Sequence, residues 1–238
     1  MGSAPNGTRD IRITPRDAWV VRLGGLAGLL IIALILVVNF VLTPQASVRD
    51  AQPEEIAAFF SAHAGSMAFA NGLRNLGLFL LPLWAVGLYS LIAHTADSAA
   101  KSWARMGVVA SAALMALGTV NNLIQTAAFL ELSIFSEHPE LRTLLWSLSG
   151  VGFGGASRLV LGAFCAGFSI AGWQSGALPR WLCIVGLLSA LSSLVTAVAI
   201  AALLAGGWPV YIDLAVVIPT TLIFQVGVSI QMLRRAAG

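Results

Sequence analysis

Charge is what this chain lacks. Asp, Glu, Lys and Arg make up 10% of its 238 residues and hydrophobic side chains 58%, against roughly a quarter charged in a soluble domain. So little charge cannot coat a water-facing surface, which excludes nucleic-acid binding, a secreted disulfide framework and ordinary cytosolic catalysis together. Cysteine is equally scarce. Cys165 and Cys183 both lie in apolar stretches, where the thiol acts as a small hydrophobe and neither a disulfide nor a metal site is expected. The three histidines, His63, His94 and His138, fall at or beyond the ends of the apolar runs, which argues against a transmembrane bis-His haem. No Gly-x-Ser-x-Gly, His-Glu-x-x-His or P-loop pattern occurs, and the adjacent acids Glu54 and Glu55 have no His or Arg at useful helical spacing. The chain therefore reads as non-enzymatic, with no catalytic residues, metal or cofactor expected.

What is present is apolar length. A run of about 20 apolar residues crosses roughly 30 Å of hydrocarbon, and six such runs stand at about 19–42, 71–94, 104–130, 153–177, 182–206 and 210–233. The stretch from Leu23 to Leu42 is too long for a signal-peptide core and no clear small-residue cleavage site follows it, so it is read as a retained helix. The expected fold is an all-α membrane protein, a six-transmembrane-helix bundle at 19–233 between tails at 1–18 and 234–238.

Six spans put both termini on one side. Arg9, Arg12, Arg16, Arg22, Lys101, Arg105, Arg180, Arg234 and Arg235 fall on that side, whereas Arg49 and Arg142 fall clearly on the other. The positive-inside rule then places both termini in the cytoplasm. Trp19, Trp103, Trp173 and Trp181 mark the cytoplasmic interface and Trp146 and Trp208 the outer one, as amphipathic rings do at headgroup level. A pI near 9.4 accordingly reflects orientation and anionic headgroups, and membrane lipids are the expected partners. Pro53, Glu54 and Glu55 suit a first helical turn, and Ile56, Phe59, Phe60 and Met67 recur on one side after it, which predicts a short extracytoplasmic interfacial helix after the first span. The apolar stretch 144–156 is interrupted by Gly150, Gly152, Gly154 and Gly155, so it is an early start of the fourth span, a kink or a re-entrant piece.

Inside a membrane the polar residues carry the information, because burying them is costly unless they are paired or face water. Arg74, Glu131, Arg158 and Asp213 share one level near the outer boundary, on four different spans. Either each snorkels to the headgroups, or they pair across helices and frame a pocket open to the outside. Below them, Ser111, Met115, Gly118, Asn122 and Gln125 share one face of the third span, and Arg158, Gly162, Cys165, Ser169 and Gly172 one face of the fourth. Ser189, Ser193 and Thr196 stand on the fifth, Asn71, Asn75, Pro82 and Tyr89 on the second, and Asn39 at similar depth on the first. Such faces serve close helix packing and interhelical hydrogen bonds, or they line a polar cavity. The candidate pocket residues are Arg74, Asn75, Asn122, Gln125, Glu131, Arg158 and Asp213. Pro82 and Pro219 fall inside spans and free carbonyls that neighbours, Ser/Thr side chains or water must satisfy, and in Pro219-Thr220-Thr221 the hydroxyls are well placed to help. No ionisable group stands near mid-membrane, which weakens proton-coupled transport.

Arg22-Leu23-Gly24-Gly25-Leu26, Leu88-Tyr89-Ser90-Leu91-Ile92 and Leu178-Pro179-Arg180-Trp181-Leu182, in this order over most of the chain, resemble a family of uncharacterised bacterial six-span integral membrane proteins. The resemblance implies the six-helix fold and the bacterial plasma membrane, and it carries over no site residues. The expected function is to bind a lipid or small molecule in an outward-facing polar pocket, or to scaffold a membrane-protein partner. The alternative is a small permease passing a weakly polar solute along the Asn122 and Gln125 face; an intramembrane enzyme is the reading that the missing acid, base and nucleophile argue against.

Overall fold

An apolar segment that leaves water must satisfy every backbone N–H and C=O within the protein, and a helix does so by itself. A computed structural model describes residues 15–42, 53–130, 154–202 and 213–237, and these are helical but for two short connections, with no strand among the described residues. Helix α1 (Pro15–Val37) continues as a π-helical turn, Val38–Leu42; α2 is Pro53–Ala93, α3 Ser98–Leu130, α4 Gly154–Ser175 and α5 Arg180–Ala202. A second π-helical turn, Asp213–Val217, leads into α6, Ile218–Ala237. Six helices are long and apolar enough to cross a membrane.

Local chemistry sets several of the ends. Pro15 and Pro53 begin their helices, at a position whose N–H has no intrahelical partner in any case. Asp97 caps α3 by accepting from the Ala100 N–H at 2.8 Å. Gly176, with φ +68°, ends α4 in the left-handed conformation that glycine adopts without strain. The largest departure from the sequence reading is α2. It runs unbroken for 41 residues, about 60 Å, so the interfacial helix expected after the first span is the leading part of the second span's own helix. No proline stands between Pro53 and Pro82 to stop it. Pro219 lies at the junction of the π-helical turn and α6, where Thr220 Oγ1 donates to the Val216 carbonyl at 2.6 Å; Thr221 instead pairs with α5. Residues 144–153, Trp146 and Trp208 lie outside the described residues.

The helices form a ring in chain order, each packed against the next, and α6 closes the ring against α1. The start of α1 and the end of α6 lie at one end: Asp17 of α1 is 3.3 Å from His94 after α2, and Gly24 of α1 meets Met232 near the end of α6. Trp19, Trp103, Trp173 and Trp181 are exposed at this terminal end, as an interfacial belt would be. The small-residue face of α4 does not look into the ring. Gly162 packs on Ala190 and Leu194, and Ser169 faces Gly186, so that face is spent on α5 and the inward stripe is Arg158, Leu161 and Phe164.

Two crossings depend on missing side chains. A Cβ on Gly87 would lie 2.8 Å from the Cα of Gly24 and 3.0 Å from the Val20 carbonyl oxygen, and one on Gly167 would lie 2.8 Å from the Gly107 nitrogen. Small residues at such crossings let helix backbones approach in a solvent that gives no hydrophobic drive. Gly87→Ala is therefore expected to destabilise the fold by about 1–3 kcal/mol, because the obstacle is backbone and cannot turn aside. Gly72→Ala, whose Cβ meets nothing within 4 Å, is expected to leave stability unchanged or slightly higher. Thermal unfolding of both variants in detergent checks this, and equal midpoints would refute the tight crossing.

Candidate functional site

Four aromatic rings fill the middle of the bundle. Trp84 of α2 lies 5.4 Å from Phe164 and 5.7 Å from Phe168 of α4, and 6.4 Å from Phe224 of α6, between ring centroids. Phe164 and Phe168 meet edge-on at 5.4 Å, an arrangement that opposes ring edge to ring face. An indole N–H needs a partner in such a place, and Trp84 Nε1 donates to Ser229 Oγ at 2.9 Å. Ser229 in turn donates to the Gln225 carbonyl at 2.7 Å. The indole lies directly against Gly28 of α1, where no side chain would fit.

On the side of this cluster away from the termini, the ring of helices borders a partly open cavity of about 410 Å³, within the size range of small-ligand sites. Its apolar walls are Ile31, Leu34 and Ile35 of α1, Leu78 and Leu81 of α2, Leu161 and Phe164 of α4, and Leu222 of α6. Its polar lining is Asn39, Arg74, Asn122, Arg158, Thr221 and Gln225.

A ladder of amides positions the first guanidinium. Arg74 Nη1 donates to Asn71 Oδ1 at 2.7 Å and Nη2 to Asn39 Oδ1 at 3.3 Å. Asn39 sits in the π-helical turn and its Nδ2 donates to the Ile35 carbonyl at 2.9 Å, supplying a donor where the widened turn disturbs backbone pairing. Asn71 Nδ2 reaches Thr126 Oγ1 at 3.1 Å, and Thr126 donates to the Asn122 carbonyl at 2.7 Å. Asn122 Nδ2 donates to Asn75 Oδ1 at 2.9 Å. The amides thus tie α1, α2 and α3 together beside the cavity. On the far wall Ser189 and Thr221 share a hydrogen bond of 2.6 Å, and Ser189 lies 3.6 Å from the Cys165 sulfur, joining α4, α5 and α6.

Three of the seven residues singled out in the sequence, Arg74, Asn122 and Arg158, line this one cavity. Asn75 stands behind Asn122 as its acceptor, and Gln125 is not among the lining residues. Glu131 lies outside the described residues, as does the side chain of Asp213, which opens the π-helical turn before α6; the pairing expected of these carboxylates with the two arginines lies outside the described residues with them. Gln225 was not anticipated. It is 6% exposed, lines the cavity, and its Nε2 has no hydrogen-bond partner among the described residues. The signal for it was present in Thr221, Gln225 and Ser229, a polar stripe at four-residue spacing on an otherwise apolar helix.

The Asn75–Asn122 bond is expected to be energetically real but modest. A double-mutant cycle with Asn75→Ala and Asn122→Ala, read by unfolding in detergent, should give a coupling of about 0.6–1.7 kcal/mol; additive single effects would show that the pair contributes nothing. The chain matches no protein family, no curated protein and no solved structure, so the cavity itself carries the functional argument.

Proposed function

We propose that the protein is a non-enzymatic, multi-pass membrane protein that binds a lipid headgroup or small amphiphilic molecule in the cavity beside the aromatic cluster. The observation that carries this reading is the convergence of Arg74, Arg158 and the buried Nε2 of Gln225, which has no hydrogen-bond partner among the described residues, on one cavity whose walls are otherwise mostly apolar. A mostly apolar enclosure with a few convergent polar groups is the general form of a small-molecule site. The ring of Trp84, Phe164, Phe168 and Phe224 blocks the cavity toward the terminal end, which supports holding a molecule over passing it through. Asn122 is engaged with Asn75, so the face that a permease would use is occupied by internal bonds.

The gathering of Arg22, Lys101, Arg105, Arg180, Arg234 and Arg235 at the terminal end supports cytoplasmic termini by the positive-inside rule. The cavity then belongs to the outer half of the membrane and faces outward. The bacterial plasma membrane, implied by the family resemblance, is part of the same proposal, and so is an extracytoplasmic position for the leading part of α2.

Two measurements test this reading. Native mass spectrometry of protein extracted gently from its own membrane should show a discrete adduct, and Leu161→Trp, which fills the cavity, should abolish it while the protein still unfolds cooperatively; bare wild-type protein would sink the binding role. For orientation, Ser98→Cys should react with a membrane-impermeant maleimide only when the cytoplasmic face is exposed, against a silent background because Cys165 and Cys183 are buried. Labelling from the outside of intact cells would invert the topology.

A further inference from the structure

Resting on the binding role proposed above, we infer that the occupant is a membrane lipid that enters sideways, with a hydrocarbon chain lying across the seam between α1 and α6. The register of the two helices locates that seam. Gly25 of α1 lies against the Ser229 carbonyl oxygen and Leu233, and Gly28 against the Ser229 hydroxyl, so α1 and α6 run antiparallel and pack tightly there. Continued away from the terminal end, the same register brings Ile35 opposite Leu222 and Asn39 opposite Ile218. All four residues line the cavity, so the seam is part of the cavity's own wall.

Two helix distortions stand at its far end. Val38–Leu42 after α1 and Asp213–Val217 before α6 are both π-helical turns, and the register sets them at one level on either side of the seam. Such turns redirect a helix and are frequent at functional sites. The first packs on α2 and the second on α5, and neither makes more than marginal contact with the other helix of the pair. The two walls therefore lean toward opposite neighbours beyond Gly28. Three other seams are fastened by hydrogen bonds: α1 to α2 through Asn39 and Arg74, α2 to α3 through Asn75 and Asn122, and α5 to α6 through Ser189 and Thr221. Between α1 and α6 the facing lining residues below Asn39 are Ile31, Ile35, Ile218 and Leu222. Dispersion holds such side chains together, and an aliphatic chain can take the place of either partner.

The surface around the seam says what stands outside it. Leu36, Val37, Phe40 and Val41 of the first span and Ile223 of α6 are exposed there, a surface suited to hydrocarbon in a chain with six membrane-crossing helices. Acyl chains are the solvent at that position, so a weak affinity suffices for occupancy. Eight residues separate Ile31 from Asn39, about 12 Å along a helix, which accommodates a segment of a chain while the rest of the lipid stays in the bilayer. The carbonyl or hydroxyl oxygen that joins chain to head in a lipid supplies the acceptor that Gln225 Nε2 lacks among the described residues. The polar lining carries guanidinium donors and amide oxygens alike and so sets no sign of charge on the head.

The test uses the full chain in vesicles of phosphatidylethanolamine and phosphatidylglycerol that contain a trace of phosphatidylcholine with a diazirine on one acyl chain. After illumination, crosslinks are mapped by mass spectrometry at Leu81 and Leu161 of the cavity lining and at Val198 on the exposed face of α5. Wild-type protein is expected to crosslink at all three. Leu222→Trp, which blocks the seam, is expected to lower crosslinking at Leu81 and Leu161 at least about fivefold and to leave Val198 unchanged. Ile223→Trp, whose side chain is exposed beside the seam, should behave as wild type. A reversible block guards against misfolding: Leu222→Cys carrying a benzyl disulfide should lose the interior crosslinks and regain them on reduction, with Cys165 and Cys183 silent because they are buried. Undiminished interior crosslinks in the blocked proteins would overturn sideways entry and leave the binding role standing. No interior crosslink in wild type, with a discrete non-lipid adduct in native mass spectrometry, would overturn the lipid and again leave the binding role standing. No interior crosslink and no adduct would overturn both.

Discussion

The hydrogen bond from Trp84 Nε1 to Ser229 is the contact on which the interior depends. It fastens α2 to α6 across the ring, at a level where α1 supplies only the hydrogen of Gly28. Without a partner for its N–H, an indole at the centre of a bundle would leave a buried donor unsatisfied, at a cost of about 1–3 kcal/mol. With Ser229 in place, the indole becomes a flat wall against which Phe164, Phe168 and Phe224 close. The bundle is consequently dense on one side of the indole and hollow on the other. The cavity is what remains when six helices of unequal length are held together at one level by aromatic rings and are fastened beyond it by amides at their edges.

That amide fastening has a chemical consequence. Asn39, Asn71, Asn75 and Asn122 each hold both kinds of hydrogen-bonding group, and the fold uses both kinds internally. The oxygens of Asn39, Asn71 and Asn75 accept from protein donors, and the amide nitrogens of Asn39, Asn71 and Asn122 donate to protein acceptors. Arg74 is thereby held in position by two neutral amide oxygens at the edge of the cavity. Low dielectric surroundings strengthen both the internal bonds and any bond to a ligand. The ladder that packs α1, α2 and α3 and the site that those helices line are therefore one construction.

Much of the fold was legible because apolar length is a coarse, robust signal: each of the six runs read from the sequence corresponds to a helix. Ends were less legible. Nothing in the sequence between Pro53 and Ala93 states where the membrane begins, so the leading part of α2 read as a separate helix. Inward faces were legible in part. Arg74, Asn122 and Arg158 were placed by depth and spacing, and they share a cavity. The small stripe Gly162, Cys165, Ser169 and Gly172 was equally regular and faces α5 instead, since small residues serve helix contact wherever it occurs. Trp84 escaped notice because interfacial position is the usual reading of Trp in a span, and only the three-dimensional meeting with Ser229 explains a buried one. Gln225 escaped because the polar stripe it forms with Thr221 and Ser229 looks the same from the sequence whether it faces a neighbour or a void.

The aromatic cluster also bears on whether the proposed occupant would be held or passed through. For a solute to pass from the cavity to the terminal end, Trp84 would have to leave Ser229 and three phenyl rings at once. Those contacts join α2, α4 and α6, so displacing them means separating helices that form the ring, not turning one side chain. The wall at Ser189 and Thr221 carries no such aromatic lock. On the binding role proposed above, the arrangement therefore favours an occupant that enters and leaves without crossing the aromatic cluster.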